Sequence, residues 1–174
     1  MRRRSLIAAA CVLAWPLAAR AALPAPYGAI VVSPSGAPER YEFDLNGALA
    51  EARRRGKRLY VYLGASDCPF CRKYEAFLAR NADELVPHFA KDWLVVDLRS
   101  QLSVHANKLY IRAGMKSLPY AEFQRSIGDE RTRQLVYPSV WLFDADARPL
   151  MQMPAGTGTF ETVPEQLEIL RLEQ

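Results

Sequence analysis

The sequence predicts an α/β domain with a central mixed sheet flanked by helices. Three observations predict it. Two apolar runs, Leu59-Tyr60-Val61-Tyr62-Leu63 and Trp93-Leu94-Val95-Val96-Asp97-Leu98, lack polar alternation, as strands buried on both faces do. A stretch of helical periodicity joins them, and a crossover of that length makes a parallel βαβ unit. A third run, Ser139-Val140-Trp141-Leu142-Phe143, is followed by the turn Asp144–Arg148 and then Leu150-Met151-Gln152-Met153, which fits a hairpin partner. With 174 residues, half of them apolar, the chain buries one good core and is too short for two ordinary domains.

The N-terminus reads as an export signal. Arg2, Arg3 and Arg4 precede an apolar run from Leu6 to Trp15, and Ala19-Arg20-Ala21 supplies a small-x-small cleavage site. Arg3-Arg4-Ser5-Leu6-Ile7 loosely matches a twin-arginine pattern, although three basic residues also make an ordinary signal. The apolar run before Cys11 is too short for a lipidation site. The formal charge of +4 invites a nucleic-acid partner, and the signal removes the invitation: residues 1–21 hold four of the 23 basic residues and no acid, leaving 19 of each sign. The expected mature protein is periplasmic and formally neutral.

Residues 22–41 carry several prolines and read as an extended arm, with Ala29-Ile30-Val31-Val32 as an edge strand. The folded domain is expected over 42–174. Asp44 is placed to cap a helix in which Leu45, Ala48, Leu49 and Ala52 recur at helical spacing, and Gly56 stands where a C′ glycine belongs. The cations Arg53, Arg54, Arg55, Lys57 and Arg58 fit a solvated helix end better than an anion site. A second helix runs from Pro69 through Tyr74, Phe77 and Leu78, breaks near Asn81 and resumes to about Ala90. Residues 101–134 are less regular. Ser103 caps one expected helix ending before Gly114, and Ser117-Leu118-Pro119 opens another with Tyr120, Phe123 and Ile127 on its apolar face. Thr162-Val163-Pro164-Glu165 is a capping box for the last helix.

With Cys11 in the signal, the only remaining cysteines are Cys68 and Cys71. A bridge between residues so close removes little unfolded-state entropy, so the pair points to chemistry rather than stapling. The spacing puts Cys68 at the N-cap of the second helix, where free backbone N–H groups and the positive dipole end favour a thiolate. Cys71, one turn in, suits the resolving role, attacking the mixed disulfide that Cys68 forms. Pro69 fits the first helical turn, and Phe70 offers an aromatic face to a partner peptide. Arg72 would favour a thiolate if it turned toward the sulfurs, whereas a carboxylate at Asp67 would oppose one. The two cysteines do not make a zinc site, because no second C-x-x-C or paired histidine accompanies them, and His88 and His105 stand alone. Copper(I) is a more serious alternative, since two thiolates suffice for it and Met151 and Met153 are soft donors.

Strand, Cys68-Pro69-Phe70-Cys71, helix, then Tyr137-Pro138 leading into a strand, a hairpin and a final helix resembles the thioredoxin superfamily over about residues 42–174. The helix ending at Gly56-Lys57-Arg58 is similar to the periplasmic group of SoxW-type proteins and the C-terminal domain of the membrane thiol reductase DsbD. The resemblance implies a thioredoxin-like fold, with a helical insertion over about 101–134 before a cis-proline at Pro138. Tyr137 and Pro138 would then face the dithiol and bind substrate by strand-like pairing. It implies an exported thiol–disulfide oxidoreductase whose redox group is the Cys68–Cys71 disulfide, with no other cofactor. The partners implied are a disulfide-containing periplasmic protein as substrate and a membrane thiol reductase as electron donor. The chain departs from the family pattern at Asp67, where a tryptophan is usual, and at Tyr62, where many members carry a buried carboxylate. Phe70 between the cysteines, in place of a histidine that stabilises the thiolate of strong oxidants, points to reduction or exchange rather than oxidation. The alternative is a periplasmic copper-binding or copper-delivery protein using the same two thiolates.

Overall fold

The computed structural model describes residues 22–36, 39–128, 135–153 and 161–171. The signal with Cys11, residues 129–134 of the predicted insertion and the side chain of Met153 lie outside them. A five-stranded mixed sheet forms the centre. β3 (Arg58–Ala65) and β4 (Trp93–Ser100) pair in parallel over their full length, from Arg58 opposite Trp93 to Ala65 opposite Ser100. β1 (Ile30–Val32) adds in parallel to the far side of β4. On the other side of β3, β7 (Ser139–Phe143) runs antiparallel, and β8 (Pro149–Met153) closes that edge. The strand order is β1-β4-β3-β7-β8.

Both faces of the sheet are covered, which is why its strands read as unbroken apolar runs. Side chains alternate across a strand, so β3 sends Leu59, Val61 and Leu63 to one core and Tyr60 and Tyr62 to the other. α1 (Asn46–Arg55) and α4 (Tyr120–Ser126) cover the first face, where Phe123 meets Trp141 edge to face at 5.3 Å between centroids. α2 (Pro69–Arg80), α3 (Ala82–Asp92) and α5 (Val163–Arg171) cover the second. There Tyr60 stacks edge to face on Phe89, and its hydroxyl lies 2.6 Å from that of Tyr74.

The ends of α1 follow the expected chemistry with a shift of one residue. Leu45 occupies the N-cap, and Asp44 acts from just outside by accepting the Asn46 N–H at 2.8 Å. Leu45, Ala48, Leu49 and Ala52 are all buried, and Gly56 ends the helix in the left-handed region at φ 61°. The basic cluster is a helix end: Arg54 and Arg55 both pair with Glu51, and Lys57 donates to the carbonyls of Ala90 and Lys91. The capping box also forms, with Glu165 Oε2 accepting the Thr162 N–H at 3.2 Å.

The helix expected from Ser103 to before Gly114 does not exist. After a single 3-10 turn at Ala106–Lys108 the chain extends as β5 (Leu109–Ala113), turns at Gly114-Met115 and returns as β6 (Lys116–Pro119). Leu109 and Ile111 are buried at a spacing of two, which is strand periodicity that the short polar surroundings conceal. β5 also pairs in parallel with β2 (Tyr41–Asp44), so the end of the predicted arm joins a second, three-stranded sheet. Over its described residues, 101–128, the insertion is a 3-10 turn, a hairpin and one short helix. The arm itself is built in: Tyr27 is buried, donates its hydroxyl to the Leu78 carbonyl at 2.9 Å and packs on Phe89.

Candidate active site

β3 delivers the chain to the site and α2 begins there. Cys68 is the N-cap residue of α2, and its Sγ accepts the Cys71 N–H at 3.2 Å, so a free helix amide points at the first sulfur. Pro69 fills the first helical position. Cys71 lies one turn in and accepts the Ala65 N–H at 3.4 Å. Burial pushes the Cys71 thiol up to about 12, with the Cys68 sulfur adding to the shift and the Ala65 N–H opposing it. Both cysteines are free thiols.

Across from the pair, the Tyr137–Pro138 peptide bond is cis, and the Cys68 thiol lies 3.8 Å from the Tyr137 carbonyl oxygen. Tyr137 packs against the cluster of Ala65, Cys68 and Cys71, and its hydroxyl donates to Ser100 Oγ at 2.8 Å. An open depression of about 430 Å³ adjoins Cys68, walled by Phe70, Leu102, Val136, Tyr137 and Pro138. Phe70 is 55% exposed, Leu102 48% and Val136 39%, so the rim is apolar and open. A cysteine at a helix N-terminus is expected to face solvent, but Cys68 is only 1% exposed: the helix amide and the Tyr137 loop cover its sulfur.

The model of the family described as thioredoxin-like matches residues 39–145. The chain belongs to the thioredoxin-like family. The match supports the superfamily and not the finer likeness to SoxW-type proteins or the DsbD domain. No curated protein matches the chain. Among solved structures, it is similar to a disulphide isomerase from Xylella fastidiosa Temecula1, with a TM-score of 0.42 and 23% identity over 61% of this chain and 67% of that one. It is also similar to a thioredoxin-fold protein from Helicobacter pylori, with a TM-score of 0.41 and 14% identity over 67% and 68% of the two chains. The exposed lipoprotein thioredoxin of Streptococcus pneumoniae strain TIGR4 gives a TM-score of 0.41 and 17% identity over 70% and 87%. These are likenesses in outline, and the family match stands without them.

In this thioredoxin-like chain Asp67 and Arg72, expected to tune the thiols, flank the start of α2 and its first turn. Asp67 Oδ1 accepts the Leu102 N–H at 2.8 Å, so its carboxylate ties the segment after β4 to the start of α2. Arg72 is exposed on the first turn of α2. His88 lies on α3 and His105 is exposed before β5; among the described residues no cluster of three or more His, Cys, Asp or Glu could hold a metal. Met151 packs in the core on the α2 side of the sheet.

Sequence reasoning missed a buried charged group behind Cys71. Tyr62 and Asp97 are register neighbours on β3 and β4, and Gly64 and Arg99 form the next such pair on that face. Arg99 Nη1 donates to Glu75 Oε1 at 2.8 Å and Nη2 to Asp97 Oδ2 at 2.6 Å. Tyr62 donates its hydroxyl to the same Glu75 oxygen at 2.9 Å. Gly64 makes room for this: a Cβ there would stand 2.5 Å from the Tyr62 ring and 2.9 Å from Arg99. The signal was in the spacing. Glu75 lies four residues beyond Cys71 on one helix, so the two side chains share a face.

Proposed function

We propose that the protein is an exported thiol–disulfide oxidoreductase that reduces or exchanges disulfides in periplasmic proteins through Cys68 and Cys71. The observation that carries the reading is the Cys71 N–H aimed at Cys68 Sγ at 3.2 Å, on a helix that opens against the Tyr137–Pro138 loop. A thiolate at Cys68 is held by that amide and by the positive end of α2. It attacks a substrate disulfide, one substrate sulfur leaves as a thiolate, and a mixed disulfide joins Cys68 to the other. Cys71 then attacks Cys68 Sγ, which forms the Cys68–Cys71 disulfide and releases the second substrate thiolate. The substrate loses one disulfide and the protein gains one, so two electrons pass from protein to substrate.

The chain around the substrate disulfide lies in the apolar depression between Phe70, Leu102 and Val136 and pairs with the backbone beside Pro138. A membrane thiol reductase returns the protein to the dithiol. The test is catalysis. Reduced protein should accelerate the reduction of insulin by dithiothreitol, and Cys68→Ser and Cys71→Ser should each abolish the acceleration. Tight one-to-one binding of Cu(I), with no acceleration, would replace this reading with copper delivery.

A further inference from the structure

We propose that removal of the leader after Ala21 creates an α-ammonium group at Ala22 that docks on Asp97 and completes the buried charge group. The inference goes beyond thiol exchange and rests on the export reading alone. Asp97 is 1% exposed, and its Oδ1 has no hydrogen-bond partner among the described residues. A buried carboxylate oxygen without a donor is costly, so one more donor at that oxygen would be stabilising.

The surroundings show an unbalanced charge. β4 supplies Asp97 itself and Arg99, α2 supplies Glu75 and β3 supplies Tyr62. β1, on the other side of Asp97, sets Val31 opposite it and brings no charge. Both carboxylates pair with Arg99, at 2.8 and 2.6 Å, so two negative charges meet one positive charge. Such an excess is unfavourable away from water, and a second cation relieves it.

The N-terminal arm brings that cation. Tyr27 anchors the arm by packing on Phe89 and donating to the Leu78 carbonyl. Leu23 packs half-buried against the same core, and its N–H donates to Asp97 Oδ2 at 3.3 Å. The Ala22 nitrogen stands three covalent bonds before that of Leu23, no more than about 3.7 Å away. Ala22 is exposed, so a turn about its ψ brings the nitrogen over Oδ1 while the Leu23 amide stays in place.

The charge arises only on processing. In the uncut chain the Ala22 nitrogen is a peptide amide and neutral. Hydrolysis of the Ala21–Ala22 bond by the leader peptidase of the exporting membrane consumes one water. The carboxyl stays with the leader, and the freed amine takes up a proton, because an α-amino group titrates at about 8. The ammonium then offsets the excess charge, so the balanced interior belongs to the processed protein. The expected cleavage site, Ala19-Arg20-Ala21, sets the first residue where its nitrogen reaches Asp97.

The full chain with its own leader is expressed in a bacterium and recovered from the periplasm. Its first residue, read by mass spectrometry, should be Ala22. A second version carries Gly-Ser inserted between Ala21 and Ala22, which keeps the cleavage site and moves the ammonium away from Asp97. An N-hydroxysuccinimide ester at pH 7 should acylate the Ala22 α-amino group at least about tenfold more slowly than the displaced one, because the ion pair holds the proton that acylation must remove. The insertion should lower Tm by roughly 3–12 °C, the loss of one hydrogen bond to a charged group in a chain of this size. In Asp97→Asn protein the same insertion should leave Tm unmoved. If Asp97→Asn protein does not fold, the acylation comparison, which needs no substitution, decides alone. Equal acylation rates, a wild-type Tm unmoved by the insertion, or a drop that persists in Asp97→Asn protein each overturns the docking and leaves the export reading standing. A first residue other than Ala22 overturns the docking and the cleavage site together. Insulin reduction by the same preparation reads the thiol assignment separately, since neither change touches Cys68 or Cys71.

Discussion

Arg99→Met tests the buried charge group through stability. Arg99 joins Glu75 and Asp97 at 2.8 and 2.6 Å, and the three side chains are 12%, 6% and 2% exposed. Methionine fills comparable volume but leaves two carboxylates facing each other without their cation. Breaking a buried pair in this way costs about 3–5 kcal/mol. At about 2–4 °C per kcal/mol for a chain of this size, Tm should fall by roughly 6–20 °C at pH 7. The sign with pH is opposite to ordinary acid denaturation. In the folded variant the crowded carboxylates gain by taking up a proton, so the folded state binds more protons than the unfolded state. Its stability therefore rises as pH falls. Paired urea or thermal melts of wild type and variant at pH 7 and pH 5 should show the penalty shrinking at the lower value. A penalty below about 1 kcal/mol, or one equal at both pH values, would refute the placement of both carboxylates on one guanidinium.

Two further outcomes follow from single contacts. Asp67→Ala removes the acceptor of the Leu102 N–H, so exchange of that amide should quicken and stability should fall by about 0.5–1.5 kcal/mol; unchanged exchange at Leu102 would show that the tie does not hold the loop. Burial raises the phenols of Tyr27, Tyr60, Tyr62, Tyr74 and Tyr137 above their ordinary value near 10. The folded state thus keeps protons that the unfolded state loses, and the stability they carry is full below about pH 10 and is lost as pH rises beyond it. An alkaline titration followed by ultraviolet absorbance and circular dichroism should show these phenols ionising together with unfolding. Ionisation near pH 10 with the fold intact would contradict their burial.

How far the sequence speaks depends on where each signal resides. The βαβ unit, the hairpin and the capped helices were legible because their cues are local: apolar runs, a cysteine at a helix start, a Thr-x-x-Glu box. The segment 103–113 misled because its buried residues are only Val104, Leu109 and Ile111, too few to outvote the polar residues around them. Its partner strand, Tyr41–Asp44, is remote in sequence, and pairing of that kind leaves no local trace. The dithiol was readable for the same local reason. Glu75, Asp97 and Arg99 were not, because charged residues read as surface and only the alignment of β3, β4 and α2 turns them inward. Asp67 was assigned a role by proximity along the chain, whereas its hydrogen bond goes to Leu102, an alignment made only by folding.

The central claim is that Cys68 attacks and Cys71 resolves. Cys71→Ser protein, mixed with a peptide that carries one disulfide and analysed by mass spectrometry after protease digestion, tests it most directly. The account predicts a stable adduct of peptide on Cys68, with Cys68→Ser forming none under the same conditions. An adduct on Cys71 in the Cys68→Ser protein, or no adduct in either variant, would contradict it.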